Sequence, residues 1–139
     1  MLWLPGLEPF QDGALAVRVA LVVDDTPERY AVLQSFLRRR FSVSMVRFAP
    51  RVPEDFGEAE LVSLDYHLGE ETALDQMRKV PPERLLGRVY LVHSTGGLEA
   101  TMLEDWLRKR GLVVVRYPYS LMRMEVRGGK RQAAEPRAR

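Results

Sequence analysis

Short apolar runs alternate along this chain with longer stretches in which apolar and charged residues recur at helical spacing. The run Val-Arg-Val-Ala-Leu-Val-Val over 17–23 predicts a strand. A helix follows over 27–40, with Thr26 as N-cap and Pro27 at its first position. Tyr30, Leu33, Phe36 and Leu37 form the face it should turn to a sheet. A second strand is predicted over 42–47. Pro50, Pro53 and Gly57 then forbid a full helix and leave a turn or a single helical turn. A third strand over 60–65 leads to a helix over 70–80, stopped by Pro81-Pro82. A fourth strand over 88–93 precedes a helix over 98–110, with Met102, Leu103, Trp106 and Leu107 on one side and Gly111 as C-cap. The fifth strand is 112–116. Beyond it two patterns compete: Ser120 can cap a short helix, whereas Met122, Met124 and Val126 alternate as in a strand.

The strands are almost wholly apolar, as in a sheet covered on both faces. Strand–helix alternation with right-handed crossovers predicts a doubly wound α/β domain with five parallel strands in the order 2-1-3-4-5, a shortened second helix and a doubtful fifth. The domain should span 17–126, between an extension over 1–16 and a basic tail over 127–139 expected to be disordered. In the extension, Trp3, Leu4, Leu7 and Phe10 are expected to pack on the domain.

Composition narrows the function classes. At 139 residues the chain is expected to form one such domain, or one domain plus tails. It has no cysteine, which excludes disulfides, thiolate metal sites and cysteine nucleophiles. No apolar stretch approaches the roughly 18–20 residues of a membrane span, and the N-terminus lacks a signal-peptide pattern; no membrane partner and a cytoplasmic location are the expectation. The net charge of +2 hides an asymmetry. Arg127, Lys130, Arg131, Arg137 and Arg139 against Glu135 give the tail +4 and leave the rest at −2. Contact with nucleic acid is therefore expected, if at all, through the tail. Arg38-Arg39-Arg40 reads as a solvated helix end favoured by the helix dipole.

The chemistry lies where the strands end. Asp24 and Asp25 end the first strand, Asp65 the third, His93 and Ser94 the fourth, and Arg116-Tyr117-Pro118 the fifth. In open parallel sheets ligands bind at these carboxyl ends. Three carboxylates gathered there suit a hard cation, Mg²⁺, and through it a phosphate. Ser94 and Thr95, ahead of Gly96-Gly97, offer hydroxyls and free N–H groups to an anion. His67 and His93, the chain's two histidines, are candidate acids or bases toward a phosphoester. Strand alternation can turn His93 away from Ser94.

From 17 to about 125 these residues resemble a receiver domain of bacterial response regulators, which implies the flavodoxin-like version of the fold. The resemblance implies that Asp24 and Asp25 hold Mg²⁺, that Asp65 in Leu64-Asp65-Tyr66-His67-Leu68-Gly69 accepts a phosphoryl group and adds a metal ligand, that the main-chain carbonyl of His67 is a further ligand, and that Ser94 binds the phosphoryl oxygens. A histidine kinase or phosphotransfer protein is the implied partner. One position departs: Tyr117 stands before Pro118, where that family keeps a lysine. Tyr117, as a neutral donor, and Arg116 are the candidates to replace it. The Leu-Asp-Tyr-His-Leu-Gly segment and His93-Ser94 are also similar to a side branch of receiver-like domains predicted to process cyclic phosphates. Three readings therefore stand: a phosphorelay receiver, an enzyme acting on a cyclic phosphate through His67 or His93, and a pseudo-receiver that only binds partners. Oligomeric state is open.

Overall fold

The structure, a computed structural model, describes residues 17–134. The extension over 1–16 and the last five residues lie outside the described part. Five parallel strands form one sheet: β1 (Val19–Val23), β2 (Met45–Ala49), β3 (Leu61–Leu64), β6 (Val89–Val92) and β7 (Val113–Arg116), in the order β2-β1-β3-β6-β7. In terms of the sheet's own strands this is the expected order 2-1-3-4-5. The two extra strands, β4 (His67–Leu68) and β5 (Glu71–Thr72), make a small antiparallel hairpin of their own.

Alternation along each strand sorts side chains to two cores. Leu21, Val23, Val62, Leu64, Tyr90 and Val92 pack with α2 (Ala73–Met77) and α3 (Gly97–Arg108). Ala20, Val22, Leu61 and Leu91 pack with α1 (Tyr30–Phe41) and α4 (Tyr119–Ala134). The expected helix face is kept: Leu33, Phe36 and Leu37 are fully enclosed, and Tyr30 stacks on Phe48.

Local structure departs from expectation in four places. Thr26 does not cap the first helix with its side chain. It precedes a 3₁₀ turn, Pro27–Arg29, and its own N–H is taken by Asp24 Oδ1 at 2.8 Å. The second strand starts three residues late, because α1 runs to Phe41 and ends in a left-handed Ser42. The helix expected over 70–80 is only Ala73–Met77: Gly69, at φ +72°, turns the chain into the hairpin, and Thr72 caps the shortened helix by accepting the Asp75 N–H. The final segment is a full helix and not a strand. It starts directly after Pro118, buries Met122, leaves Met124 exposed, and runs to Ala134, beyond the boundary expected at 126.

No second helix forms between β2 and β3. That stretch is pinned instead by Gln76, whose Oε1 accepts the Val52 N–H at 2.7 Å while Nε2 donates to the Leu68 and Glu71 carbonyls. No described helix is long and apolar enough to cross a membrane.

Candidate functional site

The sheet ladder continues one residue past the strands and fixes the backbone of the strand-end residues. Asp24 N–H donates to Ala49, Asp65 to Val23, His93 to Leu64 and Tyr117 to Val92, each at 3.0 Å. An open pocket of about 380 Å³ lies over these ends, lined by Asp25, Thr26, Arg29, Asp65, His67, Gly69, Ser94, Thr95, Gly96 and Glu99. A larger groove, about 480 Å³, lies beside α2. Its Arg51 and Lys79 are already paired with Glu71, and none of the candidate residues lines it.

The three aspartates sit in three different settings. Asp24 is sealed: its side chain has no exposure, Oδ1 accepts the Thr26 N–H, and Oδ2 lies 2.8 Å from His93 Nε2. Asp25 is exposed at the rim, where Oδ2 accepts the Gly69 N–H at 2.8 Å. Asp65 lies between these extremes, 7% exposed and facing the pocket. The guanidinium of Arg29 stands 3.6 Å from Asp24 Oδ2 and 3.6 Å from Asp65 Oδ2.

These settings split the acidities of two residues on adjacent strands. Burial alone would raise the Asp24 pKa. The His93 contact, the Thr26 N–H and Arg29 outweigh it and hold the carboxyl below its ordinary value. For Asp65 burial wins: its pKa is raised, with the Asp24 charge adding to the rise and His93 and Arg29 only partly offsetting it.

His93 lies behind the pocket floor. It is wholly enclosed, with Nδ1 2.7 Å from Ser63 Oγ and Nε2 on Asp24. The register explains this line. Ser63 is paired with Val22 on one side and Leu91 on the other, so Asp24 and His93, each two residues on, project from the same sheet face. Acid–base work on a substrate in the pocket does not reach His93. His67 does line the pocket, at its exposed edge, with Nε2 2.8 Å from Glu99 Oε1.

Ser94 is buried and Thr95 exposed at the opposite wall. The helix α3 begins just after them with Gly96 as N-cap and no side-chain cap bond, so its first N–H groups are left for an anion. Tyr117 does not line the pocket. Its ring packs on Phe36, and its hydroxyl donates to Glu125 Oε1 at 2.7 Å. Arg116 turns along α3 toward Gly96 O, Thr101 and Glu104.

Arg29, Ser63 and Glu99 were not singled out in the sequence. Arg29 carried one usable signal, a cation one turn after a strand-end acid pair and just past a proline that starts a helix.

Hard oxygen donors of this kind suit Mg²⁺. The ligand atoms of Asp24, Asp65 and His93 lie within 4.8 Å of one another. The Asp24–His93 edge of that trio is already a hydrogen bond, so the donors that face the pocket are those of Asp25 and Asp65.

No protein-family profile matches the chain, and no curated protein does. Solved structures do. The response regulator receiver domain from Rhodospirillum rubrum is 15% identical, with a TM-score of 0.56 over 79% of this chain and 89% of that one. The response regulator domain of Thermotoga maritima CheB is 18% identical, at 0.53 over 84% and 96%. The phosphorylated cyanobacterial phytochrome response regulator RcpA is 15% identical, at 0.53 over 84% and 94%. Identity this low speaks to architecture alone: the chain has the receiver fold.

Proposed function

We propose that this receiver-fold domain takes a phosphoryl group on Asp65 in a phosphorelay, from a histidine kinase or phosphotransfer protein. The observation that carries the reading is the contrast between the strand-end acids. Asp65 opens into a pocket walled by Ser94, Thr95 and Arg29, while Asp24 is closed off behind it. A carboxylate oxygen of Asp65 attacks the donor phosphorus. The new P–O bond forms as the donor's P–N bond breaks, and the imidazole leaves with a proton from solvent. Ser94 Oγ and the free N–H groups at the start of α3 receive the phosphoryl oxygens. Arg29 offsets their charge from across the pocket.

Asp25 and Asp65 would hold Mg²⁺, with the His67 carbonyl as a further ligand and Asp24 adding negative charge from behind. Bound there, the ion supplies charge neutralisation for the incoming phosphate.

The test is incubation of the full chain with acetyl phosphate and MgCl₂, read by intact mass. One added phosphate on the native chain and none on Asp65→Asn is the expected result. A native chain that stays unmodified sinks the reading.

A further inference from the structure

Arg29 is the last residue of the 3₁₀ turn and stands one position before α1. Its guanidinium bridges Asp24 and Asp65, and its Cζ lies 4.9 Å from the centre of the Tyr119 ring, the first residue of α4. Among the described residues lining the pocket it is the one permanent cation. Its side chain is 30% exposed, so it is held at the pocket mouth and not locked inside.

The two acids need such a charge unequally. Asp24 has the Thr26 N–H and His93 as well. Asp65 has Arg29 as its ion-pair partner. A cation–π contact with Tyr119 orients the guanidinium and keeps it over the acids. Arg29 thus stands at an Asp65 oxygen, Oδ2, that a divalent ion would also draw on. Two cations cannot share it without strong repulsion.

We infer that Arg29 is the resident counter-cation of the Asp24–Asp65 pair and competes with a divalent cation for Asp65, clasped in place by Tyr119. This rests on the reading that Asp25 and Asp65 hold Mg²⁺; it does not need Asp65 to accept a phosphoryl group. Its consequence is a site that binds Mg²⁺ weakly at rest. Binding draws the guanidinium off the acids and off the Tyr119 ring, which ties occupancy of the pocket to the start of α4.

The test is a titration of the full chain with MgCl₂ by calorimetry, with the Mg²⁺-induced rise in melting temperature as a second readout. Arg29→Gln removes the charge at similar length, and its Mg²⁺ affinity should be about tenfold tighter than native. Arg29→Lys, which keeps a charge, should stay near native. Tyr119→Leu loosens the clasp but leaves the guanidinium, and should fall between native and Arg29→Gln. Should Arg29→Gln fail to fold, Tyr119→Leu decides. A variant affinity no greater than native, or no Mg²⁺ binding by any of these proteins, overturns the inference. Neither readout uses phosphate. Tight Mg²⁺ binding by Arg29→Gln without labelling of native Asp65 would remove the phosphorelay reading and leave this one; labelling with an unchanged Mg²⁺ affinity would do the reverse.

Discussion

The rim of the sheet has an open half and a closed half. Over the ends of β1, β3 and β6, the side chains of Asp25, Asp65 and Ser94 face an open pocket. Over the end of β7, Arg116 and Tyr117 are equally polar, yet they fold back on the protein, onto Glu104 and Glu125. Residue type does not separate the halves; a waiting partner does. α4 brings Glu125 to the Tyr117 hydroxyl, and Arg40 reaches the same carboxylate at 2.9 Å. Among the described residues, the ion-pair partner of Asp65 is Arg29, which arrives from the 3₁₀ turn at the pocket mouth. A strand-end polar group becomes available for chemistry when the helices leave it short of partners. The same logic acts within the open half. Asp24, fully partnered, is pushed toward ionisation, and Asp65, short of partners, is pushed toward its neutral form.

Loss of the sealed acid should have the largest effect. Asp24→Ala strips His93, the Thr26 N–H and Arg29 of a shared partner in a buried setting. It should cost roughly 3–5 kcal/mol of stability, measured by urea denaturation. A loss no larger than that of an exposed substitution would mean that Asp24 belongs to the pocket and not to the interior.

Asp65→Asn should act in the opposite direction. In the folded chain the Asp65 pKa lies above its ordinary value of 3.8, so the folded state holds this proton to higher pH than the unfolded state does. Stability is therefore lost as pH rises from that ordinary value through the raised folded one, and the deficit persists at neutral pH. Removing the ionisable group should raise the melting temperature by a few degrees at pH 7 and by progressively less as the pH falls toward the ordinary value. Asp24 contributes with the reverse sign, since its stabilisation is present above 3.8 and disappears as pH falls through its lowered folded pKa. A melting temperature for Asp65→Asn below native at pH 7 would contradict the assignment.

The smallest effect belongs to the closed half. Tyr117→Phe deletes the bond to Glu125 and should cost about 1 kcal/mol. Labelling of Asp65 by acetyl phosphate should proceed at the native rate in this variant. A large fall in labelling would place Tyr117 in the site after all.

Much of the architecture was legible in the chain. The apolar strand runs set the sheet, the strand-end acids marked its rim, and Pro50 and Pro53 ruled out the second helix. What was hidden depended on contacts between elements. A helix is expected over 70–80, and the hairpin that Gly69 turns ahead of it became visible only with the Ala73–Tyr66 backbone bond in place. Met122, Met124 and Val126 fit strand and helix periods alike over so short a span. Packing of Met122 against α1 and the bonds of Arg39, Arg40 and Tyr117 to Glu125 settle it as a helix. The Ser63–His93–Asp24 line needed the register of three strands, which no single segment encodes. Arg29 needed the path of the 3₁₀ turn.

The central claim, that Asp65 is the chemically available acid of this rim, meets its most direct trial in intact mass spectrometry after exposure to acetyl phosphate and MgCl₂. One phosphate on the native chain, none on Asp65→Asn, and undiminished labelling of Tyr117→Phe are expected. A native chain whose mass does not change, or a label that survives Asp65→Asn, would contradict it.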